Sequence, residues 1–458
     1  MLLLLPNFSL FAQVQLGSTI SNPDALEPGH VIISDNGNRL VVSALNLLND
    51  PDNAGYLAVY EWNGSDWQQV GNAFSGTEQG DRLGQGKAIS SDGNRLAIGT
   101  PGSGNNFLSF VKIYDWSGSD WVQVGTPINA ESAGDLFGTS ISFSENGNTL
   151  AIGAPRNDGH ADNSGHVRIF SWNASEWQQL GDAIDGEAAQ DFSGGSISIN
   201  ASGHIIAIGA IGNDATAEGA GHIRIFNWNG NNWQKRGDDI KGSFPDEGRG
   251  AQVHLSDDAN RLFFMNNCGD PYCETKSTVY MQWDGSNWNQ IGDSSSGFYL
   301  SDMALSSNGT RKAVVAPSSW YPAPGFVVVT DWDGSSSYSV LNLEEDGNDA
   351  VSLSSDGSRI VLSTVTGETR VFELTPTFIK DMPTNNPFQI SPNPTPSSIV
   401  LEGLPLENSV QVINSLGVLM KSLSNVEQAI HLSGLSNGMY FILIETEEGI
   451  FADRVLKN

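Results

Sequence analysis

The chain is poor in the residues that would give it a basic surface, a covalent framework or a helical core. Its 458 residues hold 22 Lys and Arg against 52 Asp and Glu, a formal net charge of −30. Nucleic acid and anionic membrane surfaces are gripped by clustered cations, so neither is expected as a partner, and the acidic excess reads as solubility. Two cysteines, Cys268 and Cys273, are too few for a disulfide scaffold. No stretch repeats its apolar residues at the helical period between caps, and none is apolar over the ~20 residues that a membrane-spanning helix takes. A Ser-His-Asp elbow, a paired-carboxylate motif and a phosphate loop are also missing. What is plentiful is glycine, 51 residues, beside 39% hydrophobic residues, a composition of short strands joined by tight turns.

The chain is also repetitive. A turn of the form Ser-x-Asp/Asn-Gly-Asn recurs in "SDNGNRLVV", "SSDGNRLAIG", "SENGNTLAIG", "NASGHIIAIG", "SDDANRLFF", "SSNGTRKAVV" and "SSDGSRIVL". Its glycine falls at Gly37, Gly93, Gly147, Gly203, Gly309 and Gly357, with Ala259 in the fifth copy, so the steps are 56, 54, 56, 56, 50 and 48 residues. A period of roughly 50 residues is that of a propeller blade. Within residues 136–184, "LFGTSISFS" and "TLAIGAP" flank one turn, and "GHVRIFSW" and "WQQLGDAI" flank another, which makes four strands. Four strands per unit and seven units predict an all-β, seven-bladed β-propeller.

A second text, "EWNGSDWQQVG", returns as "DWSGSDWVQVG", "SWNASEWQQLG", "NWNGNNWQKRG" and "QWDGSNWNQIG". Trp62 and Trp67 enclose a four-residue loop and are predicted to face each other across a hairpin, a contact that adds roughly 0.2–1 kcal/mol to a sheet. The same holds for Trp116 with Trp121, Trp172 with Trp177, Trp228 with Trp233, and Trp283 with Trp288. The sixth copy runs from Trp332 through "DGSSS" to Tyr338. The seventh has Leu374 in the first Trp position and lacks a fourth strand. "QVQLGSTI" at residues 13–20 matches the missing portion, so an N-terminal strand is expected to close blade seven and remove the open edges of the ring.

Residues 1–12 read as a signal-peptide remnant with cleavage after Ala12; a basic n-region is lacking, as in a signal whose first residues are absent. The propeller is assigned residues 13–375. A proline-rich linker follows at 376–387, and residues 388–458 alternate in polarity like a small antiparallel β-sandwich.

This tail resembles the type A C-terminal sorting domain of proteins exported by the type IX secretion system of Bacteroidota. The resemblance rests on "ISPNPT" with Pro392, Asn393 and Pro394, on "VQVINSLGVLMKS", on "LSGLSNGMYFILI" with Leu435, Gly438 and Tyr440, and on the basic end "RVLKN" with Lys457. It implies passage through the periplasm, recognition by the type IX machinery through residues 388–458, removal of the tail, and a body that is secreted or held on the cell surface. The repeats resemble the FG-GAP type found in integrin α-subunit heads, best in blade three with Phe137-Gly138, Gly153-Ala154-Pro155 and Asp135. Blade two has Leu83-Gly84 and Gly99-Thr100-Pro101 instead. That resemblance implies calcium in the loop between second and third strands. The loops here, "LNDPDNAG", "RNDGHADNSG" and "GNDATAEGAG", offer Asp50, Asp158, Asp162 and Asp214 without the full D-x-D-x-D-G pattern. Calcium takes six to eight oxygens, so ordinary Asx turns are the expected reading, with calcium the alternative.

Asp81, Asp135 and Asp191 recur ahead of three successive blades and are read as caps on backbone amides rather than a channel cluster. His166 and His222 are equivalent repeat positions, duplicated rather than arranged as a metal constellation. Cys268 and Cys273, across a short turn of an exported protein, are expected to form a disulfide. Trp320 is the only tryptophan outside the hairpin pattern. With Tyr321 it lies in a proline-stiffened loop suited to stacking on a sugar ring or a partner. The resulting expectation is a monomeric, non-enzymatic binding or adhesion protein for a glycan or surface protein, without a required cofactor; a secreted enzyme acting on polysaccharide or peptide is the alternative. Deleting residues 388–458 is expected to leave the protein in the periplasm in cell fractionation, and normal surface delivery of the truncated chain would refute the sorting assignment.

Overall fold

The computed structural model describes residues 11–21, 30–45, 54–102, 107–267, 276–292, 295–298, 300–316, 326–332, 337–344, 348–364 and 366–376, and in the tail 389–393, 395, 397–402, 408–414, 419–424, 426, 429–432, 435, 438–446 and 449–457. Every regular element among them is a strand. Residues Gln13–Leu374 form one compact unit and the tail from Thr375 another. The first holds seven antiparallel sheets. Their innermost strands, which number the blades 1 to 7, are His30–Ile33, Lys87–Ile89, Ser140–Phe143, Ser196–Ile199, Arg249–Leu255, Asp302–Leu305 and Asn348–Leu353. The second strand of each blade is buried along almost its whole length, as in Arg39–Ala44 and Leu150–Ala154, because blades pack against it on both faces.

The repeated tryptophan text is a blade-to-blade joint. Trp62 pairs with Trp67 across the hairpin, ring centroids 5.5 Å apart, and the other four pairs repeat this at 5.3–5.4 Å. Asn63 Oδ1 accepts the N–H groups of Ser65 and Asp66, which shapes the loop. Asp66 Oδ1 accepts Ser18 N, and Trp67 Nε1 donates to Leu16 O, so both reach the preceding blade. Asp120 and Trp121 repeat these two contacts on Asn72 N and Val70 O. Gln69 Nε2 donates to Gly71 O, holding the glycine at φ 70° beneath Trp116 and Trp121 of the next blade. A Cβ at the equivalent Gly181 would come within 2.6 Å of Trp228. The cross-strand contact is worth roughly 0.2–1 kcal/mol, whereas removing a buried tryptophan costs about 3–5 kcal/mol. Burial between blades therefore dominates the conservation of this text along the chain.

A second joint uses the arginine of the "GNRL" turn. Arg39 donates to Gly93 O and Asn94 Oδ1 of blade 2, with its guanidinium 5.0 Å from the Trp116 ring. Arg95, Arg311 and Arg359 make the same reach to Gly147, Gly357 and Gly37. At one mouth of the channel the turns themselves join. Ser91 N donates to Glu145 O, Glu145 N to Ala201 O, Ala201 N to Asp257 O, Asp257 N to Ser307 O, Ser307 N to Ser355 O, Ser355 N to Asp35 O, and Asn36 N to Ser91 O. The seven blades are thus held in a closed circuit of backbone hydrogen bonds.

Blade 7 takes its outermost strand from the start of the chain: Phe11–Gln15 and then Ile20–Ser21 both pair with Glu368–Pro376. This strand begins two residues ahead of the cleavage point read after Ala12. The tail unit packs two sheets face to face. Gln389–Ser391, Ser398–Glu402 and Ala429–His431 form one, and Leu419–Ser424, Asn408–Asn414, Gly438–Thr446 and Gly449–Lys457 the other. Alternate residues, Ile399 and Leu401 on one side and Val410, Val412, Tyr440, Ile442 and Ile444 on the other, fill a common core. Removing residues 11–21 should strip Glu368–Pro376 of its outer partner and Trp67 Nε1 of its acceptor. Hydrogen exchange is expected to quicken across residues 348–376 and at blade 1; exchange unchanged from the intact chain would contradict this account of closure.

Candidate functional site in the central channel

The inner strands line the channel, and several of their positions carry serine for a structural reason. Each inner strand is a sheet edge with unpaired N–H groups. Ser142 Oγ accepts Ile199 N, Ser196 Oγ accepts Val253 N, Ser198 Oγ accepts Leu255 N, and Ser352 Oγ accepts Ile33 N, each across to the next blade. Asp302 fills such a position in blade 6: its Oδ2 accepts Val351 N at 2.9 Å, and its Oδ1 accepts Met303 N and Gln252 Nε2.

Between blades 1, 2, 5, 6 and 7 the channel encloses a cavity of about 230 Å³, lined by His30, Lys87, His254, Asp302 and Ser352 among apolar neighbours. Lys87 stands where the other blades place Val31, Ile141, Ile197, Val253, Met303 and Val351, and His254 where they place Ile32, Ala88, Ser142, Ser198, Ala304 and Ser352. Solvent reaches these groups along the channel, where His30 is exposed and Lys87, His254 and Asp302 are partly buried, and the surrounding wall desolvates all four enough to shift them. Burial holds the His254 imidazole down at about 4, and burial together with the Lys87 charge holds His30 at about 4. The Lys87 ammonium is lowered by burial to about 8, against the attraction of Asp302. Burial raises Asp302 to about 6, against the hydrogen bonds from Val351, Met303 and Gln252. At neutral pH the cavity therefore offers one cation, two neutral imidazoles and a carboxylate whose oxygens are engaged. Among the described residues Lys87 Nζ has a single acceptor, Gly84 O at 3.4 Å, for its three protons. Such a set of perturbed groups in one concavity is a candidate functional site.

The sequence-derived candidates fall elsewhere. Asp158 Oδ1 accepts Asn163 N, Asp214 Oδ1 accepts Gly219 N, and Asp162 accepts Gln190 Nε2, so these carboxylates organise their own loops. Asp50, Cys268, Cys273, Trp320, Tyr321 and Pro394 lie outside the described residues. Asp81, Asp135 and Asp191 are buried and accept backbone amides at Thr77, Ser132 and Glu187. In the tail, Tyr440 lies in the core with Leu435 against it, Gly438 pairs with Lys457, and Pro392 and Asn393 are exposed.

Residues 389–458 match the secretion system C-terminal sorting domain. The chain is exported. The sorting domain delivers the propeller to the medium or the cell surface through the type IX machinery, and residues 129–170, spanning most of blade 3, match the FG-GAP repeat. The crystal structure of the Myceliophteria thermophila Cps50 (Swd1) β-propeller domain is similar with a TM-score of 0.50 at 11% identity, covering 78% of this chain and 99% of that one. That likeness concerns the fold alone. No curated protein matches the chain in sequence.

The exported propeller meets the pH of its surroundings directly, so the buried imidazole has a measurable consequence. His254 is held near 4 in the fold against about 6.5 unfolded. A depressed folded value means that its contribution is complete above 6.5 and is lost as pH falls toward 4. His254→Gln is expected to flatten the fall in Tm between pH 6.5 and 4, followed by differential scanning calorimetry; an unchanged slope would show that the imidazole is not desolvated.

Proposed function

We propose that this exported propeller is a binding protein that engages a glycan or another surface protein through one acidic group, a sugar acid or a carboxylate side chain, seated in the channel against Lys87. The observation that carries this reading is Lys87 itself, a desolvated cation with spare donors at a position that is apolar in every other blade. An ammonium out of bulk water is a stronger partner for an anion than a surface lysine. His30 and His254, neutral in the fold, supply further donors and acceptors beside it. The cavity of about 230 Å³ is smaller than the roughly 300–1,000 Å³ of sites that swallow a whole ligand. It suits one terminal group of a larger molecule that remains outside.

The same groups argue against acid–base chemistry as the main activity. A general acid has to reach the substrate, and both oxygens of Asp302 already accept hydrogen bonds from the protein. The expected result is retention of the full-length chain on acidic members of a glycan and peptide array, weakened at least about tenfold by Lys87→Ala, the loss that ~1.4 kcal/mol represents. Trp320→Ala in the same array asks whether the proline-stiffened loop shares the ligand. Binding that Lys87→Ala leaves unchanged would remove the channel from the proposal, and turnover of an array member would replace binding by catalysis.

A further inference from the structure

Apart from the channel, the joint between blades 3 and 4 gathers three side chains with metal-ligating atoms: Glu187, which follows the last strand of blade 3, His222 at the start of the third strand of blade 4, and Asp239 just ahead of Ile240–Lys241. Their donor atoms all lie within 4.8 Å of one another, with His222 Nδ1 3.9 Å from Glu187 Oε2. His222 is completely buried, and among the described residues neither ring nitrogen has a hydrogen-bond partner. A buried imidazole with both nitrogens unsatisfied is costly, since buried polar groups are nearly always paired. We infer that Glu187, His222 and Asp239 form a binding site for a divalent transition-metal ion, zinc by its ligand type, independent of the channel.

Three observations support this. Imidazole nitrogen and carboxylate oxygen are ligand types that zinc takes, and three protein ligands leave a fourth position for water. Zinc–ligand bonds of about 2.0–2.2 Å place neighbouring donors roughly 3.3 Å apart, so the existing spacing closes with a small movement of Glu187, which is about half-exposed and gives the ion a way in. His222 supplies the nitrogen donor, since its ring is fully buried beside both carboxylates and among the described residues no hydrogen-bond partner occupies either nitrogen. Arg224 addresses the other carboxylate oxygen: its NH1 is 3.6 Å from Glu187 Oε1, while its NH2 is held by Asp185 O. It therefore steadies Glu187 and leaves Oε2 facing the imidazole. Lys235 Nζ, 2.5 Å from Asp239 Oδ1, is the cation that the ion would displace. Blade 3 carries a related set, with His166 Nδ1 3.9 Å from both Glu131 and Asp185, which serves as an internal control.

The test uses the full-length chain without a histidine tag, stripped with chelator and titrated with Co²⁺ for its visible ligand-field bands, then with Zn²⁺ by calorimetry. One equivalent is expected to bind, with the Co²⁺ bands displaced by Zn²⁺. Glu187→Gln, a change at an exposed side chain that leaves the core intact, should weaken binding by more than the ~10–100-fold that losing a hydrogen-bond partner of a metal ligand costs. His222→Gln should abolish it, and His166→Gln should leave it in place. Absence of the Co²⁺ bands, binding indifferent to Glu187→Gln, or loss of binding in His166→Gln alone would overturn the assignment.

Discussion

The seven turns that hand a backbone N–H to the next carbonyl around the channel mouth set the geometry on which everything else depends. A sheet edge left open costs unsatisfied amides and invites pairing with another chain. Here each inner edge is closed by its neighbour, first through these turns and then through the serine hydroxyls of the channel wall. The circuit works only if the last blade meets the first. That is why the strand Phe11–Gln15 matters out of proportion to its length: it completes blade 7 and presents Leu16 O to the indole of Trp67.

Once the ring is closed, the channel has a defined width, and the residues that line it are partly desolvated without leaving contact with solvent. Serine tolerates this because its hydroxyl is used by the next blade. The four exceptions do not blend in. Asp302 is drawn into the edge-capping scheme as a stronger acceptor, and its carboxyl is raised to about 6 by the burial that the scheme imposes. Lys87, His30 and His254 have no such structural employment among the described contacts of their ring or ammonium groups beyond Gly84 O. The functional proposal grows from that contrast between a wall that satisfies itself and a few groups that do not.

How much was legible beforehand follows from the range of each interaction. The hairpin facing of Trp62 and Trp67 could be read because four residues separate them, and the blade count because the Ser-x-x-Gly turn is a local device repeated at a steady step. The amide-capping role of Asp81, Asp135 and Asp191 was readable for the same reason, since their acceptors' partners lie within four residues. The channel cluster left only a faint trace, a lysine in a column of valine, isoleucine and methionine. Glu187, His222 and Asp239 left none, because the histidine's repetition in blade 3 suggested duplication and the carboxylates belong to different turns of the repeat.

Sequence by itself therefore determined the unit, its number, the facing of the paired tryptophans and the export tail, the first three because they rest on a hairpin or on a turn repeated at a steady step; that the tryptophans join one blade to the next came from the structure. Tertiary structure alone decided which side chains meet. His30, Lys87, His254 and Asp302 come from four blades and share a cavity only because the ring closes. Their altered protonation has the same origin, since desolvation is a property of the enclosing wall and not of any segment of the chain.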